Sequence, residues 1–505
     1  MDLGSSYRLS LERSPNATAL VDGVVRLTYG EWFGKIRRLA GGLERLGLKK
    51  GDRLATLMEN RWELASLHWA CQFQGLIITP LNWRMKAGEL DYCLQNSGAT
   101  ALIFQDVSRE AVTQSDAALS IARIKMEDAV GATAGFEELL EADGFDGEPR
   151  AAPDDNSLIL YTSGTTGKPK GVPRSHAAER AAAVAHVAQH RGITSEVMLG
   201  AMPFYHTMGV RSILAMQLLD GCLVCQRRFD ARETLQLIAD ENITSVFLVP
   251  TMFYDLLAVP DFDNFDTSSA VHLGFAGAPM PDGLMLKIWD KMKPDQLINH
   301  YGSSEIYTFT IEPHAVARPG SAGKAGLNQR IRVVRLGSED PDDETAPNEE
   351  GQIIADTASE EAFKGYWRRP DADAKAFRGG WYFTGDTGFK DENGDLFVTG
   401  RVDDMMISGG ENITPVEIES VLSLHPSVGE VAVAGIPDER WGQKVTAFVV
   451  GIGDVSAKML DDHCKNSDLA DFKRPRDYVF LKAIPKSPVG KILRRFLVSG
   501  EFERI

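Results

Sequence analysis

Two lysines, four aliphatic hydroxyls and three glycines crowd into one eleven-residue segment, Tyr161-Thr162-Ser163-Gly164-Thr165-Thr166-Gly167-Lys168-Pro169-Lys170-Gly171. Glycine lets backbone N–H groups approach an anion closely, the hydroxyls can donate to anionic oxygens, and the lysines add compact positive charge. The chemistry this composition supports is phosphate binding. It is not the Walker pattern, because Pro169 follows Gly167-Lys168 and no glycine stands five residues before Gly167. On residue types alone the segment reaches a nucleotide or another phosphate, and no further.

A loop of this kind must hang on rigid elements, and the chain supplies them. Apolar runs at 54–58, 76–79, 101–104, 158–161, 246–249 and 271–276 read as buried strands. Between them lie helical patterns such as 28–46, where Trp32, Phe33, Ile36, Leu39, Ala40, Leu43 and Leu46 form one stripe, Thr28 with Glu31 makes a capping box, and Gly47 follows. This alternation predicts an α/β fold with doubly wound sheets in a large N-terminal domain. Residues 337–350 are acidic and turn-rich, a solvated loop. Beyond them, glycine-rich turns separate short strand-like runs, which predicts a small antiparallel β subdomain. The final hundred or so residues form a small α+β unit whose first helix starts at Thr414-Pro415-Val416-Glu417, with Thr414 as cap. The junction falls near Asp403, giving domains 1–402 and 403–505.

At 505 residues the chain exceeds the size at which one core usually stops growing, so at least two domains are expected. No run approaches the roughly 20 apolar residues a membrane span needs. Neither end carries a targeting pattern, and a cytoplasmic location is the expectation. The net charge of −17 argues against broad binding to nucleic acid or to anionic membranes. Cys71, Cys93, Cys222, Cys225 and Cys464 suit reduced core thiols. Cys222 and Cys225 have metal spacing, but their surroundings are apolar and no second Cys or His pair stands nearby.

The glycine-rich segment resembles the phosphate loop of adenylate-forming enzymes, the superfamily of acyl-CoA synthetases, firefly luciferase and the adenylation domains of peptide synthetases. Four more segments match in the expected order. Tyr301-Gly302-Ser303-Ser304-Glu305 is similar to the segment that stacks on adenine and holds the magnesium-bound phosphates. Trp381-Tyr382-Phe383-Thr384-Gly385-Asp386 resembles the ribose-binding motif, Gly400-Arg401-Val402-Asp403-Asp404 the hinge, and Pro485-Lys486-Ser487-Pro488-Val489-Gly490-Lys491 the C-terminal lysine loop. Together they span nearly the whole chain.

The resemblance implies roles with a chemical reason for each. Attack of a carboxylate on the α-phosphorus of ATP brings two anions together, so phosphate charge must be neutralised and both reactants held in line. Lys491 would reach the carboxylate and α-phosphate, Glu305 would ligate Mg²⁺, Asp386 would accept from the ribose hydroxyls, and Arg401 would donate to the same region. After pyrophosphate leaves, the small C-terminal domain is expected to be mobile and to swing about Asp403 so that a thiol can reach the adenylate. Gly409 and Gly410 would line the pantetheine tunnel, where a Cβ has no room.

The segment Met202-Pro203-Phe204-Tyr205-His206-Thr207-Met208-Gly209 resembles the one that places an aromatic gate and a histidine beside the acyl pocket. The segments 401–412, 440–443 and 470–475 look like those of 4-chlorobenzoate and related benzoate CoA ligases. That likeness implies that Trp441 stacks on the CoA adenine and that Arg84 and Arg474 bind its phosphates. The acyl pocket would use Val184, His206, Thr207, Met208, Phe247, Ala276, His300, Gly302, Tyr307 and Thr308. Val184 is smaller than the aromatic residue of the chlorobenzoate enzymes, and His300 and Tyr307 add polar edges that an aryl halide does not require, so another ring acid fits equally. The expected function is an ATP-dependent aromatic or cyclic carboxylate CoA ligase, with Mg²⁺ as cofactor, coenzyme A as substrate and a homodimer as a family-level expectation. The rivals are a medium-chain fatty acyl-CoA synthetase, a luciferase-type monooxygenase, an amino-acid adenylation domain and a non-catalytic adenylate-binding protein. An amino-acid enzyme would need an acidic residue near the pocket entrance, and Phe204-Tyr205-His206-Thr207 offers none.

Overall fold

A computed structural model describes residues 1–127, 132–162, 168–487 and 490–504. The chain forms two compact units, Met1–Phe247 with Gly302–Thr308 and Thr357–Ala376, and Leu248–Tyr301 with Phe309–Asp356 and Phe377–Ile505. The second unit includes residues 403–505.

In the first unit, the apolar runs become strands because they can bury both faces beneath helices. Five parallel strands lie in the order Ala134–Gly135, Ala122–Lys125, Ala101–Phe104, Arg53–Leu57 and Ile77–Leu81, followed by Asn156–Thr162, also parallel, and antiparallel Lys170–Ser175. A second set runs Val25–Thr28, Thr18–Asp22, Cys222–Cys225, Val197–Gly200, with Ser245–Leu248 beside the last. All five cysteines are free and buried, Cys222 and Cys225 within that strand set. The helix Tyr29–Arg45 forms with both halves of its capping box in place, Glu31 N–H donating to Thr28 Oγ1 and Thr28 N–H to Glu31 Oε2. Its stripe from Trp32 to Leu43 is buried, each large member stabilising by about 1.5–3 kcal/mol. Leu46, expected in the stripe, is instead the exposed C-cap.

The second unit pairs His272–Ala276 with Gln296–Tyr301 in parallel, then turns antiparallel through Thr310–Glu312, Ser321–Ala325, Leu396–Arg401, Trp381–Lys390, Gly351–Asp356 and Ile331–Val334. These last strands are the small β subdomain. The C-terminal stretch has its own sheet, Glu411–Ile413, Met406–Ser408, Gly442–Gly451 and Val428–Asp438, with Asp477–Phe480 parallel to Gly442–Gly451. The helix Pro415–Ser423 begins as predicted with proline in its first turn. Thr414 makes no side-chain cap, and the Glu417 carboxylate pairs with Lys473 instead. Among the described residues no helix is long and apolar enough to cross a membrane.

One buried ion group ties the first unit together. Glu179, on the helix His176–Gln189, accepts from Arg174 Nε at 2.8 Å and from Arg211 Nη2 at 3.2 Å, and all three side chains are essentially inaccessible to solvent. Arg174 sits on the strand that leaves the phosphate loop, and its Nη1 also donates to the carbonyls of Glu305 and Glu361, at 2.9 and 2.6 Å. Burial pushes the Glu179 carboxyl up, Arg211 and Arg174 pull it down further, and the balance leaves it below its ordinary value. A carboxyl held low stabilises above the unfolded carboxylate range, and that contribution is lost as pH falls through its folded value. Glu179→Gln leaves two buried guanidiniums without their anion and should cost about 3–5 kcal/mol. The expected readout is a lower urea midpoint at neutral pH, with the gap from the parent protein closing as the pH is lowered through the carboxylate range. Equal midpoints at neutral pH would contradict this role.

Candidate active site

The two flanks of the glycine-rich segment are paired strands, with Thr162 opposite Lys170 in register and Thr162 Oγ1 donating to the Lys170 carbonyl at 3.4 Å. Ser163, Gly164, Thr165, Thr166 and Gly167 lie outside the described residues. The flanking lysines are placed by aromatic rings, Lys168 Nζ 5.2 Å from the Tyr92 centroid and Lys170 Nζ 4.3 Å from that of Tyr366. Tyr366 then donates its hydroxyl to Glu305 Oε1 at 2.8 Å, so a loop lysine and the carboxylate expected to hold the metal share one tyrosine. Glu305 is buried, and its oxygens are the hard donors that Mg²⁺ prefers, so the residue fits that ion. Ser303 Oγ accepts from the backbone of Glu305 and Ile306, closing the turn in which Ser304 lies half-buried. Gly302 is required for packing, because a Cβ there would overlap the Tyr307 carbonyl.

The residues expected at the acyl side in this unit divide. Thr207, Met208, Phe247, Tyr307 and Thr308 are buried. Val184 is 42% exposed, so the structure does not bury it with them. His206 is the N-cap of the helix Thr207–Leu218, its Nδ1 accepting from Met208 N–H at 3.3 Å, which puts the proton of a neutral ring on Nε2. Tyr307 is gripped from two sides, its hydroxyl 3.1 Å from His186 Nδ1 and its ring 4.3 Å from the Arg211 guanidinium. Burial raises the Tyr307 phenol well above its ordinary value, although Arg211 pulls the other way. Arg84 is exposed and stacks over Trp83 at 3.7 Å.

In the second unit Asp386 and Arg401 are cross-strand partners. The Asp386 carboxylate accepts from Tyr301 Oη at 2.6 Å and pairs with Arg401 Nη1 at 3.1 Å, which assembles three of the residues expected around adenine and ribose. Loss of water around the Tyr301 hydroxyl, together with the adjacent Asp386 charge, holds its phenol well above the ordinary value. Ala276 and His300 face each other in register on parallel strands, both buried. Asp403 lies exposed in the short 3₁₀ turn Val402–Asp404. Lys491 is exposed in a loop closed by Ser487, whose N–H donates to the Lys491 carbonyl at 2.7 Å, and Thr251 Oγ1 donates to the Gly490 carbonyl at 2.9 Å.

Gly409 and Gly410 form the two-residue turn between Met406–Ser408 and Glu411–Ile413, with φ of +62° and +89°, and nothing lies within 4 Å of a Cβ built on Gly410. The positive φ favours glycine at both positions of the hairpin turn, and a Cβ on Gly409 would also lie 3.1 Å from Trp441 Cε3. Arg474 is engaged by Asp461 and Asp471 at 3.1 and 3.2 Å. Arg476, which the motifs did not single out, stacks on Trp441 at 3.8 Å, with Arg440 at 4.8 Å.

Residues 8–367 match the AMP-binding enzyme family, and 417–491 match the AMP-binding enzyme C-terminal domain. The chain belongs to the AMP-binding enzyme family. A long-chain fatty acid–CoA ligase of Mycobacterium tuberculosis is 33% identical over 98% of this chain and 98% of its own. A 4-chlorobenzoate–CoA ligase of an Arthrobacter species is 32% identical over 97% and 93%. The solved o-succinylbenzoate CoA synthetase of Bacillus subtilis, in complex with its acyl-adenylate, is 28% identical with a TM-score of 0.83, covering 99% of both chains. This member of the AMP-binding family is thus an enzyme, an AMP-forming acid–thiol ligase.

The motifs left out Arg174, Glu179, Arg211, Tyr366, His186 and His190. Only the last two carried a signal, two histidines four residues apart. Gly302→Ala should displace the Tyr307 carbonyl by a sizeable fraction of an ångström and lower acid-dependent ATP–pyrophosphate exchange by about 10²-fold with unchanged far-UV circular dichroism. Exchange at the parental rate would show that the turn yields at no cost.

Proposed function

We propose that this protein makes the CoA thioester of an aromatic or cyclic carboxylic acid in two steps. The acid's carboxylate oxygen attacks the α-phosphorus of ATP, forming the acyl-adenylate and releasing pyrophosphate. The CoA thiol then attacks the acyl carbon, losing its proton and releasing AMP. The observation that carries the reading is the line from Lys170 through the Tyr366 ring to the Glu305 carboxylate, which sets a cation for phosphate beside an oxygen ligand for a divalent metal. Mg²⁺ held at Glu305 would offset phosphate charge. The Asp386–Tyr301–Arg401 group supports a nucleoside at the second unit's strands, because the carboxylate can exchange its present partners for ribose hydroxyls.

Lys491, on an exposed loop, carries the charge that would meet the reacting carboxylate and α-phosphate. Asp403, in its exposed turn, is the proposed pivot for a swing of residues 403–505 between the two half-reactions. Trp441, flanked by Arg440 and Arg476, offers a stacking face and two cations to the CoA nucleotide. The buried polar groups beside Phe247 and Tyr307 favour a substituted ring over a plain alkyl chain. The likeness to a long-chain fatty acid ligase keeps a fatty acyl substrate as the second reading.

A pyrophosphate-release panel of benzoates, alicyclic acids and short- to medium-chain fatty acids, with and without CoA, separates the two. Faster release with linear acids would overturn the ring assignment. Lys491→Ala should lower adenylate formation by about 10²–10³-fold, the scale of one lost electrostatic contact, while thioester formation from supplied adenylate persists. Unimpaired adenylation with blocked thioester formation would remove Lys491 from the first step.

A further inference from the structure

His186, on the helix His176–Gln189, and His190, its C-cap, lie four residues apart, and their rings stack with centroids 3.9 Å apart and planes 22° from parallel. Phe247 presents its edge or face to both, at 5.3 Å in each case. The Tyr307 hydroxyl lies 3.1 Å from His186 Nδ1. Two residues of the proposed acyl side, Phe247 and Tyr307, are therefore packed directly against a pair of imidazoles. Beneath them two arginines, Arg211 over the Tyr307 ring and Arg174, face two carboxylates, Glu179 paired with both and Glu361 acted on by both charges.

We propose that His186 and His190 set the acid specificity of this enzyme, selecting ring acids that carry a neutral hydroxyl or amino group remote from the reacting carboxylate. The inference rests on the ligase reading above and names the substrate class for that site. Imidazole can donate or accept according to its tautomer, so a pair of them matches hydroxyl and amino groups, which do both. A hydrocarbon acid bound at the same place would offer these rings no hydrogen bond. A site built to bond a substrate's polar group rejects the analogue lacking it far more strongly than an apolar pocket separates two chain lengths. With the two arginines facing two carboxylates, the cluster offers no excess positive charge that would favour an anionic substituent.

The test compares acids of one carbon skeleton by ATP–pyrophosphate exchange: benzoate, its 3- and 4-hydroxy and 3- and 4-amino derivatives, and octanoate as a linear control. The parent protein should use at least one substituted benzoate with kcat/KM about 10-fold or more above benzoate. His190→Leu, at a half-exposed position, and Tyr307→Phe, which removes only a hydroxyl, should each shrink that ratio at least about threefold, with unchanged thermal midpoints. A loss of activity equal for all acids would mark a structural role and overturn the proposal. So would a parental preference for benzoate or octanoate, or a ratio untouched in both variants. Exchange with none of the acids would overturn the ligase reading itself, and is distinguishable because every other outcome requires exchange.

Discussion

Much of the first unit depends on one carboxylate, Glu179, held between two arginines that water does not reach. Two buried guanidiniums without an anion would be untenable, and one carboxylate cannot cancel both charges alone. The remainder is handled by dipoles, since Arg174 spends further donors on the carbonyls of Glu305 and Glu361, and Arg211 on the carbonyl of Glu179 and the face of Tyr307. The consequence reaches the chemistry. The same ion group fixes the backbone of Glu305 and the ring of Tyr307, so the candidate metal ligand and a wall of the candidate acyl site are positioned by one set of forces. Glu361 joins it from another segment, its carboxylate accepting from Thr308 N–H at 3.0 Å.

The second unit solves a similar problem differently. Asp386 and Arg401 come from neighbouring antiparallel strands, so the sheet register itself brings the two charges together. The Arg401 side chain is 45% exposed, and screening makes such a pair weak. Weakness suits a nucleoside site, because the ligand must compete for the carboxylate. A carboxylate as firmly committed as Glu179 could not be recruited by a ribose.

The contrast explains what the sequence reveals. Strands at 101–104 and 158–161 announce themselves because a fully buried strand must be apolar, and the helix after Thr28 does so because its cap is local. The motif residues Asp386, Arg401 and Tyr301 are recognisable by resemblance, and the structure gathers them. Arg174, Glu179 and Arg211 look like ordinary surface charges in the sequence, since beyond the Arg174–Glu179 pair five residues apart their burial depends on partners 32 to 187 residues away. The glycine pair at 409–410 signals a special backbone in the sequence, and the structure shows it as a hairpin turn with positive φ at both residues. At Thr414 the helix starts where its sequence places it, but the hydroxyl makes no cap and the Glu417 carboxylate pairs with Lys473.

The lysine loop completes the electrostatic logic. It is moored by Thr251 Oγ1 donating to the Gly490 carbonyl, and by Lys486, whose Nζ lies 3.0 Å from Glu430 and 3.9 Å from Asp255. Burial raises the carboxyls of Glu430 and Asp255 above their ordinary values, with Lys486 opposing the shift in both. One hydrogen bond contributes about 0.5–1.5 kcal/mol and a partly exposed ion pair about 0–1 kcal/mol. Their sum is a small barrier beside the several kcal/mol that hold Glu179 in place. The polar contacts around Glu305 are thus strong enough to stay fixed, while those that seat Lys491 are weak enough to be remade, a division of labour that suits the proposed two-step reaction with its proposed swing of residues 403–505.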